Sequence, residues 1–455
     1  MGKELVRDEL WLVSSITKWI SFAIVTGLFV GSAAAGFLYI LDTSVHFISS
    51  LGFWHYLLIF PGLLLSYFLV HFFTNGEKVD VEEAIHENAG AVSLTAIPIR
   101  LVSTVITIAA GGSAGKEGPC AQIGAGLMYA VSRILKLDDY DMKRLVICGT
   151  ASGISAVFGT PITGAIFGVE ILYAGQMFYD ALIPALIGGI VSSMTAAYWG
   201  AGHLPAFMIG IPDLAPHMVM LSIAAGVFFG IVSMLHIECL HTVRKIFKTL
   251  AAPDWCKPII GGALLLLLSL IFGTHYLGLG DEMIVAAVSG EHVPIFAFIL
   301  KSLAMSITFG CGGNGGVLTP TLFVGAASGA FLANLLGLDQ SVFSALGLVA
   351  VLAGSTNTPI ASTVLAMELF GSAVAPFAGI ACAVSYVITG HRSLYPGQLM
   401  LRPKARTFVS RKNAEGGSEI VSRFDGVSIG RLINFHIKEA KKRIIDRRKL
   451  KIGGK

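Results

Sequence analysis

The sequence predicts an all-α polytopic membrane protein made of two related halves of full and broken helices. Three observations predict it. Charged residues fill only 13% of the 455 positions while hydrophobic ones fill 54%, which is about half the charge of a soluble domain. Apolar runs are nearly continuous from residue 15 to 390, yet several are too short to cross about 30 Å of hydrocarbon at 1.5 Å per residue. A glycine and proline pattern also recurs in the second half of the chain, in the same order as in the first.

Taken in order, residues 4–20 alternate charge with large apolar side chains and predict a short interfacial helix. Ile20 to Leu41 and Trp54 to Phe73 predict the first two spans. The polar stretch 74–83 reads as a solvent-facing loop entering a helix, and Ala91 to Ala110 is apolar again. Residues 111–118 are a glycine-rich loop, and a helix is expected from Pro119 to about Ile134, because proline suits the first turn. Residues 136–141 are a polar connection, and Leu145 to Phe158 is apolar but short. Gly159-Thr160-Pro161 ends that run, and a new helix carries Ile162 to Leu172 with Glu170 inside it. Ala181 to Trp199, 217–248 and 258–276 follow as further helices. Ile295 to Ile307 leads into a second glycine loop, Gly310 to Gly316, and apolar runs then cover 317–336, 341–353, 359–372 and 375–389. The count is roughly fourteen to seventeen helical pieces. Half-helices are tolerated in a bilayer only where their ends line a cavity.

The repeat gives those broken ends a place. Gly111-Gly112-x-x-Gly115-x-x-x-Pro119-x-x-x-x-Gly124-Ala125 returns as Gly312-Gly313-x-x-Gly316-x-x-x-Pro320-x-x-x-x-Gly325-Ala326. Thr160-Pro161-Ile162 with Glu170 returns as Thr358-Pro359-Ile360 with Glu368. Paired broken helices in two halves point to a transport site near the bilayer midplane. The first turn of a helix presents free N–H groups that attract anions. Glu117 is an anion placed covalently at that spot, so the loop reads as an anion site whose own carboxylate can occupy it or leave. The plainer reading is an acid paired with Lys116. Glu170 is an intramembrane acid, and such acids are functional candidates by default. It is also a candidate for capping or pairing inside the fold, mirrored by Glu368.

Charge is unevenly placed. Residues 401–455 hold 16 Lys/Arg against 5 Asp/Glu, and the rest of the chain holds 16 against 23. A membrane domain over 1–404 and a basic tail over 405–455 follow, with the tail cytoplasmic and able to meet anionic lipid. Nucleic-acid binding is not expected, because the charges follow a membrane domain. The six cysteines show no C-x-x-C pairing and read as small buried hydrophobes. His236-x-Glu238-x-x-His241 lacks the zinc spacing, and no G-K-[ST] phosphate loop or Ser/His/Asp set is recognisable. No metal, no cofactor and no enzymatic activity are expected.

These residues resemble the CLC family of chloride channels and anion/proton exchangers. Gly115-Lys116-Glu117-Gly118-Pro119 matches its G-R/K-E-G-P motif, and Gly316-Val317-Leu318-Thr319-Pro320 matches G-x-F-x-P with Leu318 in place of Phe. Tyr395 looks like the C-terminal pore tyrosine. The resemblance implies a homodimer of inverted-repeat subunits, each with one pore for chloride or a similar monovalent anion, in a prokaryotic plasma (inner) membrane with both termini cytoplasmic. It implies Glu117 as the gating glutamate and an anion held near Gly115, Lys116, Gly118, Val317, Leu318 and Tyr395. Two positions depart from the family. Its serine-bearing inner loop falls on Asn75 to Val79, where Gly76 replaces the serine and Glu77 brings charge, so another anion becomes an alternative. The second of its tandem proton-relay glutamates falls on Ile171. Glu170 is left as the candidate proton-path acid, with an uncoupled channel as the alternative to an exchanger.

Overall fold

A computed structural model describes residues 2–52, 57–74, 85, 90–201, 205, 207–210, 213–395, 397–400, 404, 408–412 and 418–422. Among these, fifteen α-helices run from α1 to α15. They are α1 (Gly2–Ser49), α2 (Ile59–Thr74), α3 (Ala96–Ala109), α4 (Glu117–Ile134), α5 (Asp139–Phe158), α6 (Pro161–Glu170), α7 (Leu182–Tyr198) and α8 (Pro216–Thr249) in the first part. The second part holds α9 (Cys256–Phe272), α10 (Asp281–Val288), α11 (Ala297–Gly310), α12 (Leu318–Leu336), α13 (Gln340–Thr356), α14 (Pro359–Phe370) and α15 (Ala375–Thr389). Five helical segments among the described residues are long and apolar enough to cross a membrane, and six apolar helices are shorter. The expected mixture of full and partial spans is therefore present.

Two expectations need correction. Residues 4–20 do not form a separate interfacial helix, because α1 runs unbroken from Gly2 to Ser49. A change in hydropathy does not interrupt a helix, whose backbone bonds are internal, and the first proline of the chain is Pro61. The helix after the first glycine loop starts at Glu117, not Pro119. Proline lacks an N–H, but any first-turn position tolerates that loss, because those N–H groups have no intrahelical partner. Its counterpart α12 starts in the same way at Leu318, two residues before Pro320.

The two halves pack by the same device. A β-carbon placed on Gly124 of α4 would lie 1.9 Å from the Gly149 carbonyl oxygen of α5. One placed on Gly325 of α12 would lie 2.4 Å from the Gly347 carbonyl oxygen of α13. Each helix pair thus meets backbone to backbone at a glycine pair, the close packing that small residues allow in a bilayer. Residues 1–399 form one compact unit. Within the second unit, from Met400, the strands Phe408–Lys412 and Ser418–Ser422 pair antiparallel, with Phe408 opposite Ser422 and Lys412 opposite Ser418.

Candidate functional site

The two glycine loops meet. Gly115 and Gly316 form a two-residue antiparallel bridge, with N–H to carbonyl distances of 2.6 and 2.7 Å. Flanking bonds repeat with the same symmetry. The Ser113 N–H donates to the Thr308 hydroxyl at 3.0 Å, and the Asn314 N–H donates to the Thr107 hydroxyl at 3.2 Å. Each partner stands 201 positions from its counterpart, so the sequence repeat is a physical two-fold at the centre of the unit. Gly111 and Gly312 open the loops at φ 101° and 106°, a left-handed region that glycine enters at no steric cost.

This bridge points two helix starts at one another. Neither Lys116 before α4 nor Val317 before α12 caps its helix with a side chain. First-turn N–H groups are therefore left for another acceptor. Glu117 is 1% exposed, and its Oε1 accepts a hydrogen bond from the Thr319 hydroxyl of α12. Its Oε2 is buried and has no hydrogen-bond partner among the described residues. The carboxylate thus lies across the gap between the two helices.

A cavity of about 530 Å³ opens beside it. Its lining includes Glu117, Gly118, Val317, Leu318 and Tyr395, so five of the residues singled out in the sequence converge. Gly115 lies in the bridge behind them. Lys116 does not line this cavity. Its Nζ is 3.3 Å from Asp281 Oδ2 at the start of α10. Asp281 lines a separate cavity of about 1050 Å³ together with Glu282, Glu291, His46 and His275. The two cavities differ in the sign of their lining. Among the described residues the first holds Arg100 and Arg244, with Glu117 as its one carboxylate. The second holds three carboxylates. Gly76 and Glu77 lie outside the described residues.

Glu170 has a different place. It is 5% exposed, and its two oxygens accept from the N–H groups of Ile360 and Ala361 at 3.1 and 2.7 Å. Glu368 does the same for the N–H groups of Ile162 and Thr163 at 3.0 and 2.8 Å. Each acid caps the N-terminus of the other half's helix, α14 and α6 respectively, where a negative charge is stabilised. Ile171 lines the main cavity with its apolar side chain.

Sequence reasoning missed three contributors. Thr319 was read only as part of a glycine and proline motif, although the repeat aligns it with Gly118 beside the gate. Arg100 sits in an apolar run, and that alone is a signal for a buried polar function. Arg244 stands near the charged end of α8, and its place on the cavity wall is set where its guanidinium lies over the Phe309 ring at the end of α11.

Comparison with known proteins places this geometry. The family model described as Voltage gated chloride channel matches residues 62–390. The chloride/fluoride channel protein of Pseudomonas syringae pv. tomato is 33% identical over 412 residues, covering 88% of this chain and 90% of that protein. The H(+)/Cl(-) exchange transporter ClcA of Yersinia pseudotuberculosis is 26% identical over 343 residues, covering 70% of this chain and 72% of that protein. Among solved structures, a CLC-type fluoride/proton antiporter has a TM-score of 0.78 at 27% identity, covering 85% of this chain and 98% of that one. A slow cyanobacterial Cl-/H+ antiporter has a TM-score of 0.71 at 21% identity, covering 82% and 94%, and is a likeness of fold alone.

Proposed function

The chain belongs to the CLC family of voltage-gated chloride channels and anion/proton exchangers, and on that premise we propose that it carries a monovalent halide across a membrane with Glu117 as its gate. The observation that carries this reading is the Glu117 carboxylate. It occupies the gap between two helix starts without side-chain caps, at the edge of a cavity lined by Arg100, Arg244 and His71. A bare halide in hydrocarbon is prohibitively costly. Helix-end amides and a hydroxyl stabilise it without supplying a full counter-charge, so it can leave again. An ionised Glu117 competes for those same donors and blocks. A protonated Glu117 loses its hold and yields the site.

Fluoride is the halide assigned first, with chloride second. Two relatives whose printed names include fluoride support that order. So does the donor set, since the Thr319 hydroxyl and main-chain N–H groups favour a small, hard anion. Protons ride on Glu117, because it is the one carboxylate on this cavity among the described residues and Ile171 stands at the family's relay position. The cation-lined cavity draws anions by its field. The working unit is a homodimer in a prokaryotic inner membrane with both termini cytoplasmic.

The test is flux from liposomes preloaded with fluoride or chloride, with proton movement recorded in the same vesicles. Wild-type protein moves protons against fluoride and discriminates against chloride. Glu117→Gln abolishes the proton movement and its pH dependence while altering anion flux. A Glu117→Gln protein with wild-type flux, coupling and pH response would refute the gate.

A further inference from the structure

The segment that carries Tyr395 follows the last helix and has no regular secondary structure of its own, yet it must hold a side chain at the wall of the cavity. Gln398 carries four of the bonds that hold it, just before the short strand Leu399–Met400. Gln398 Nε2 donates to two carbonyl oxygens, those of Ile171 and Thr356, each at 2.8 Å. Its Oε1 accepts from Asn357 Nδ2 and from the Ser393 hydroxyl, also at 2.8 Å each. All four hydrogen-bonding valences of the amide are thereby filled.

The identity of those partners gives the contact its meaning. Ile171 is the residue just past the end of α6, and Thr356 is the last residue of α13. Carbonyls at helix ends lack an intrahelical partner, and one amide serves both. The two helices come from different halves of the repeat. On its other side, Gln398 grips the tyrosine segment itself. The Ser393 oxygen that donates to Gln398 also accepts from the Tyr395 N–H at 3.1 Å. Asn357, left-handed at φ 61° past the end of α13, bonds both Gln398 and the Arg392 carbonyl at 3.1 Å. Two main-chain bonds complete the clamp, Leu394 N–H to Ser355 O at 3.0 Å and Gln398 N–H to Tyr395 O at 3.2 Å.

We propose that Gln398 is a positioning residue for Tyr395, fixing the tyrosine segment against the ends of α6 and α13 so that Tyr395 lines the cavity together with Ile171. This rests on the reading of Tyr395 as part of the anion path. An apolar or shorter side chain at 398 removes these four part-buried bonds, and the segment loosens relative to both halves. Tyr395 then ceases to define one wall of the cavity, and anions pass without waiting for the Glu117 cycle.

The experiment compares wild type, Gln398→Leu, Ser393→Ala, Tyr395→Ala and the Gln398→Leu/Tyr395→Ala double variant in full-length protein. The first readout is hydrogen exchange of the peptide spanning 390–398, which does not depend on any transport assay. Gln398→Leu accelerates that exchange by about tenfold, as expected for the net loss of one hydrogen bond's worth of stability, while α12 peptides are unchanged. Ser393→Ala, which removes only the hydroxyl between Tyr395 N–H and Gln398, gives a smaller change of the same sign and decides the matter if the leucine variant does not fold. The second readout is protons moved per fluoride in vesicles. Tyr395→Ala and Gln398→Leu both lower this ratio, and the double variant goes no lower than Tyr395→Ala alone. Unchanged exchange at 390–398, or additive effects in the double variant, would overturn the positioning role. A silent Tyr395→Ala with altered exchange in Gln398→Leu would instead overturn the assignment of Tyr395 to the anion path.

Discussion

Replacing Glu170 by alanine tests whether Glu170 and Glu368 are helix caps. Glu170 accepts from two N–H groups at the start of α14 and is nearly fully buried, whereas Glu368 accepts from two at the start of α6 and is half-buried. Loss of a helix cap costs about 0.5–2 kcal/mol. A hydrogen bond to a charged group contributes about 1.5–3 kcal/mol, and an N–H left buried without a partner adds its own penalty. The acceptor lost at α14 is the more deeply buried of the two, so its loss leaves the larger uncompensated gap. The desolvation of the ionised Glu170 works against the cap and trims the net figure. The expected costs are about 3 kcal/mol for Glu170→Ala and about 1–2 kcal/mol for Glu368→Ala. With an unfolding entropy near 2.1 cal/mol/K per residue, a unit of this size loses about 4 °C in Tm for the first and about 1–2 °C for the second. Thermal unfolding in detergent, followed by intrinsic fluorescence, reads both. Glu170→Gln, which keeps one acceptor oxygen, falls between wild type and Glu170→Ala and retains the wild-type number of protons moved per anion in vesicles. Equal losses for the two alanine variants would refute the burial argument. Loss of proton movement in a thermally stable Glu170→Gln would refute the cap reading and restore Glu170 to the proton path.

Two further outcomes follow from the same geometry. Thr319→Val removes the hydroxyl that donates to Glu117, a bond of about 1.5–3 kcal/mol to a charged acceptor, so the carboxylate is held roughly tenfold or more less tightly, and because the same hydroxyl is in the proposed halide donor set, halide affinity falls as the pH dependence of flux shifts. Thr319→Ser retains wild-type flux, and equal flux in the valine and serine variants would count against the contact. A β-carbon at Gly316 would stand 2.8 Å from both the Gly118 nitrogen and Glu117 Oε2. Gly316→Ala therefore costs about 1–3 kcal/mol through overpacking and displaces the carboxylate, read as a lowered Tm with altered pH response. Gly36→Ala meets open space and serves as the neutral control.

The family comparison and the helix inventory agree with what hydropathy and the repeat implied, while the boundaries that moved did so for local reasons. The α1 helix is continuous because hydropathy says nothing about backbone continuity. The starts of α4 and α12 lie two residues ahead of their prolines because every first-turn N–H is unpaired, so proline is not confined to the opening position.

The sequence by itself determined the solvent, the two-fold and the place of the candidate gating carboxylate. These are properties of composition and of short motifs read along the chain, so Glu117 beside Gly118 and Pro119 was legible without coordinates. Only the tertiary structure decided which group each polar side chain meets. Glu170 meets α14 some 190 positions away, Thr319 meets Glu117 across 202, and Lys116 turns to Asp281 across 165. The second helix start, the cation-lined wall and the Gln398 clamp arise where the two halves close on each other. A linear pattern records that the halves are alike, but hydrogen bonds reach about 3 Å, and that distance between residues so far apart is set by packing alone.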